Sequence, residues 1–199
     1  MTAEDVNLEE LVKGLESDLG LPAGFFSALP KEDDWSFVIK LHALFEGAVT
    51  HMLLHKLGFP RLGSVLARLE LGDPRIGKLA FARELDVLDE GERRFLTTLS
   101  RIRNQLVHDA RRVTFQFKEY LKDLDENQLA QFLGAFQFVF ADSAPIAGKQ
   151  VRRDDFVRSN PKLALWLASM GVLANIYQQK ELARLRAELT KALVAAYGT

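Results

Sequence analysis

The sequence predicts an all-α protein, a helical bundle with additional C-terminal helices. Three observations carry this expectation. Apolar residues recur every three to four positions through nearly the whole chain, and no segment alternates convincingly with a period of two. Glycine and proline fall between the periodic segments, as in Gly58-Phe59-Pro60. Two helix starts are marked by their own side chains. Asp89 with Glu92 makes a capping box, and Asn160-Pro161 makes an N-cap followed by a favoured first helical residue.

The elements follow in order. Residues 5–18 form a short acidic amphipathic helix, and 20–34, GLPAGFFSALPKEDD, is a connection broken by glycine and proline. A long helix runs from about Trp35 to Leu57. Short helices cover 62–71 and 75–85, and the capped helix from Asp89 continues to about His108. Residues 115–139 are helical with a break near Asp125, and 142–160 read as a long loop. A last helical stretch reaches Tyr197, with a break expected near Gly171. These divide the chain into an N-terminal helix and connection (1–34), a bundle (35–141) and a loop with a C-terminal helical extension packed on it (142–199).

Composition narrows the function classes. Hydrophobic residues make up 48 % of the 199, enough for one core. The net charge is −1, so any nucleic-acid contact rests on a local patch rather than bulk basicity. The chain has no cysteine, which excludes disulfides, thiolate metal sites and a cysteine nucleophile. The N-terminus is acidic and polar, unlike a signal peptide, and no uninterrupted apolar run approaches the ~20 residues of a membrane span. A cytoplasmic protein without a membrane partner is expected.

On the long helix Ile39, Val49, Leu53 and Leu57 mark an apolar stripe, onto which His42 and Glu46 also project. A carboxylate there needs a partner. His42, one turn earlier, is one choice, and Arg103 of a facing helix is another. His51 and His55 fall on the opposite side, near Lys40. Their i, i+4 spacing suits a metal, but no third ligand shares that face, so a solvated face is the simpler reading.

The capped helix ends in RIRNQLVHDA, residues 101–110. Leu99, Ile102 and Leu106 mark its buried stripe, with Arg103 at the edge. Arg103 and His108 lie about 140° apart on a straight helix, whereas Asn104 and His108 share a face. A site using both Arg103 and His108 therefore needs a helix end that turns, or a second chain related by a two-fold axis. A purely structural role also fits, because cations favour a helix C-terminus.

Arg103-Asn104-x-x-x-His108, preceded by a long helix with Glu46 in FEGAVTHMLL, resembles the HEPN superfamily. The order of segments over roughly residues 35–110 resembles HEPN-like regulators of the mannitol operon repressor type. The resemblance implies a homodimeric, metal-independent endoribonuclease that uses no cofactor. In it His108 takes a proton from a ribose 2′-OH, Arg103 clamps the attacked phosphate, Asn104 orients the site and Glu46 supports Arg103. A toxin or stress-defence role, with an antitoxin or regulatory protein as partner, fits this expectation. The alternative is a non-catalytic transcriptional regulator acting through protein contacts.

Arg101, Arg111 and Arg112 flank the motif and are candidate RNA contacts. Lys149, Arg152, Arg153 and Arg158 cluster in the 142–160 segment, with Asp154 and Asp155 among them, and read as a solvated loop. Phe132, Phe136 and Phe140 share a face and suit a core better than a base-stacking platform; Phe115 and Phe117 are placed with them. Leu182, Leu185, Leu189 and Leu193 form one stripe, able to pack on the bundle or on a partner chain.

Overall fold

A computed structural model describes residues 8–146 and 148–197. It is all-α apart from one small hairpin. The frame is two long helices, α3 (Asp34–Leu57) and α10 (Pro161–Tyr197), which pack along each other. α6 (Glu90–Val107) lies against α3 as well. α1 (Leu8–Asp18) closes over α10, and residues 5–7 of the expected first helix lie outside the described residues.

α3 starts where Asp33 accepts the Ser36 N–H at 2.9 Å and ends at Gly58, whose φ of 70° suits glycine. The single stripe expected on it is incomplete. Phe37, Val38, Leu41, Leu44, Phe45, Ala48, Val49, Met52 and Leu53 are all buried, so the helix is enclosed on most sides. Length and hydropathy alone would let α3 cross a membrane. Here its apolar surface is covered by α6, α10, α4 (Gly63–Arg68) and α5 (Lys78–Glu84).

The 20–34 connection carries a helical turn, α2 (Phe25–Ala28), fixed by the buried Glu16, which accepts the N–H groups of Gly24 and Phe26 at 2.9 and 2.7 Å. The 115–139 stretch divides at Asp125 as expected, into α7 (Phe117–Asp123) and α8 (Glu126–Gly134). Its aromatics form a chain of ring contacts in the core, from Phe115 through Tyr120, Phe132 and Phe136 to Phe140 and Phe156.

Two expectations are corrected. The 142–160 segment is not a loop. It is a hairpin, β1 (Ser143–Ile146) antiparallel to β2 (Lys149–Arg152), followed by α9 (Arg153–Ser159). Each strand has four largely exposed residues, too few and too polar to show alternation. The Arg153 guanidinium binds Asp142 at 2.7 Å and Asp154 at 3.2 Å, so this arginine fastens the hairpin base. α10 also runs unbroken through Gly171. The buried Ala168, Val172 and Ile176 around it supply the packing that offsets the ~1 kcal/mol a helical glycine costs. The core is continuous from α3 into α10, so the first half of that helix belongs to the bundle.

Candidate functional site

α6 sets the site. Its N-terminus has the capping box: Asp89 accepts the Glu92 N–H at 2.8 Å, and Glu92 accepts the Asp89 N–H at 2.9 Å. Glu92 is buried and also receives the Asn175 amide at 2.8 Å, while burial pushes its carboxyl up from the ordinary range. Gly91 is required beside it, because a Cβ there would lie 2.3 Å from Phe138 Cβ. Leu99, Ile102 and Leu106 are buried as the periodicity predicts.

At the other end His108 caps the helix, its N–H reaching Asn104 O at 3.3 Å. Asp109 then starts a 3-10 turn by accepting the Arg111 N–H at 3.1 Å. The Arg111 side chain folds back onto that carboxylate at 2.9 and 3.1 Å, which holds Asp109 below the usual carboxylate range. Arg112 lies 3.8 Å from the same group.

Asn104 and His108 are exposed and line an open groove of about 630 Å³ with Ser100, Arg101, Gln105 and, on the facing loop, Gly72 and Asp73. Arg101, Asn104 and His108 are spaced i, i+3 and i+7, so the groove-side cation on the histidine face is Arg101. That spacing was available in the sequence and unused by the motif reading. Arg101 also reaches Gln131 at 2.9 Å. Arg103 is half-buried and does not line the groove. Its guanidinium turns toward it, donating to Asn104 Oδ1 at 3.0 Å.

Glu46 does not pair with Arg103. Its carboxylate lies 3.9 Å from Lys78 Nζ and 3.8 Å from His42 Nδ1. Lys78 opens α5 with its side chain almost fully covered, and burial draws its ammonium below the usual lysine range. His42 is the partner expected one turn earlier on α3, whereas Lys78 was missed because it follows Gly77 in a short segment, and only its i, i+4 relation to Ala82 places it inward. Behind the groove, His42 Nε2 meets Ser100 Oγ at 3.2 Å, while Ser100 donates to Leu96 O at 2.9 Å. Ser100 thus accepts from His42, which fixes the proton on Nε2. Burial, then the charges of Arg103 and Lys78, lower the His42 pKa to about 4. Gly72 lets the facing loop close over this pair, since a Cβ there would lie 2.8 Å from Ser100 Cβ.

His51 and His55 face α10 rather than open solvent. Their Nε2 atoms lie 3.3 Å apart, within hydrogen-bond distance, with Asp18 and Lys180 of the neighbouring helices close enough to act on both. Among the described residues no group of three or more metal-ligating side chains occurs.

No known protein family, curated protein or solved structure matches this chain.

Proposed function

We propose that the chain is a HEPN-like, metal-independent endoribonuclease. The observation that carries this reading is the Arg103–Asn104 hydrogen bond of 3.0 Å. It draws the cation beside Asn104 on α6 toward the face that bears His108. Among the described residues no carboxylate lies within ion-pair distance of Arg103, so its guanidinium is free for a phosphate. His108 accepts the proton of a ribose 2′-OH, the resulting oxygen attacks the adjacent phosphorus, the P–O5′ bond breaks, and the leaving 5′-oxygen takes a proton from solvent water. Arg103 and Arg101 stabilise the charge on the non-bridging oxygens. Asn104, rather than Glu46, is the group that positions Arg103. A homodimer with its motif helices at the two-fold axis brings a second arginine and histidine to the same phosphate.

One observation favours a second reading. Glu70 and Asp73 stand on the groove wall opposite His108, and backbone hydrogen bonds from Arg75 and Ile76 hold Asp73 below the ordinary carboxylate range. An acidic wall repels phosphate and suits a basic protein segment, which fits a non-catalytic regulator acting through protein contacts.

The test is cleavage of a mixed RNA pool in chelator by wild type, His108→Ala and Arg103→Ala, each shown to be folded. Cleavage leaving 2′,3′-cyclic phosphate ends, lost in both variants, is expected. Intact RNA with the wild type overturns the nuclease reading in favour of the protein-binding one.

A further inference from the structure

The leucine stripe of α10 is uncovered. Leu182, Leu185 and Leu189 are 47, 53 and 61 % exposed, although the first half of the same helix is deeply buried. The side chain of Leu193 lies outside the described residues. Scattered exposed leucines are ordinary, but three at a, d and a spacing on one helix make a seam. The bundle contacts the other side of this helix: Ala183 and Ala187 face a groove with His55 and Pro60 at the end of α3.

We propose that this seam pairs in parallel with the same seam of a second copy. The charges beside it choose both occupant and direction. With Leu182 at position a, Glu181 and Glu188 occupy g and Arg186 occupies e. In a parallel pair, g meets the e position five residues further along the partner. Glu181 of each copy therefore meets Arg186 of the other, twice by symmetry. In an antiparallel pair, g meets g and e meets e, which sets glutamate against glutamate and arginine against arginine. Arg186 makes no ion pair within its own chain among the described residues, whereas the nearby Arg184 is held by Glu181 at 2.8 Å. Glu181 also bridges to Lys180 at 2.8 Å, and these contacts hold its carboxylate below the usual range.

Three half-exposed leucines bury far less than the ~800 Å² per partner of a standard interface. The dimer is therefore weak and exchanges with monomer. This interface stands apart from the nuclease reading, since it needs neither RNA nor the motif helix.

Sedimentation of the full chain over a hundredfold range of concentration tests it. A monomer–dimer equilibrium is expected. It should weaken at least tenfold in Leu185→Glu, whose helical content should match wild type because position 185 is already exposed. The absence of native cysteine allows a second test that does not depend on the first. Oxidation of Leu185→Cys should give a covalent dimer much faster than oxidation of Ala187→Cys, which lies across the helix. Three results would overturn the proposal: a monomer at every concentration, a dimer indifferent to Leu185→Glu, or equal crosslinking at 185 and 187. A monomer that floats with anionic phospholipid vesicles would assign the seam to a membrane surface instead.

Discussion

His42 and Ser100 join α3 to α6 through one hydrogen bond of 3.2 Å, directly behind the groove that holds Asn104 and His108. A buried histidine that is neutral in the folded state makes the bundle sensitive to acid. Its folded pKa of about 4 lies below the unfolded value, so between about pH 6.5 and 4 the unfolded chain binds the extra proton. Stability from this group is whole above pH 6.5 and declines as pH falls through that window. The loss at pH 5 is about 2 kcal/mol. His42→Gln keeps a donor for Ser100 and should flatten that dependence, read as the difference in Tm between pH 7 and pH 5. His51 and His55 are also lowered and add a smaller loss of the same sign, which the variant leaves in place.

Lys78 and Glu46 make an asymmetric pair. The lysine side chain is 2 % exposed and the carboxylate 33 %, so the desolvation falls on the lysine. Lys78→Met should leave stability unchanged or raise it, because it removes a buried charge and keeps the volume. Glu46→Gln should lower stability by about 1 kcal/mol or less, since solvent screens the partly exposed carboxylate. Chemical denaturation of both variants separates these outcomes. Equal losses would contradict the asymmetry.

Gly91 has no room for a side chain. A Cβ would press on Phe138 Cβ, which is fixed by its ring contact with Phe95 at 5.7 Å. Gly91→Ala should destabilise by about 1–3 kcal/mol, although alanine is ordinarily the better helix former. Thermal melts decide the sign.

The arginines around the motif should differ in their effect on RNA cleavage. Arg101 shares the groove with His108, whereas Arg111 is 90 % exposed and neutralised by Asp109. Under the nuclease reading Arg101→Ala should lower kcat/KM roughly tenfold or more. Arg111→Ala should change it less than about twofold. A larger effect from Arg111 would move the RNA path away from the groove.

Much of the bundle was legible because its signals are local. The capping box at Asp89, the glycine stop at Gly58 and the buried stripe of Leu99, Ile102 and Leu106 each lie within one element. The shared face of Asn104 and His108 was readable for the same reason. Of the groups around Glu46, His42 was readable because it lies one turn away on the same helix, whereas Lys78 was not, because that pairing depends on which side chain another element delivers. The hairpin at 143–152 escaped because its exposed strands carry no apolar alternation. The uninterrupted α10 escaped because a glycine inside a well-packed helix looks the same in sequence as one that ends it.

The order in which the chain is synthesised gives the pairing of α3 with α10 a further meaning. α3 is complete by Leu57, yet its most extensive helical partner does not begin until Pro161. During translation Phe37, Leu41 and Phe45 emerge about a hundred residues before that partner, long enough at cellular elongation rates for other nascent chains or chaperones to reach them. Lys180 then reaches back to Asp18 on α1. α10, synthesised after every other described helix, is thus the one that locks α1, and a chain stalled before it would present a greasy, half-built bundle for quality control to recognise.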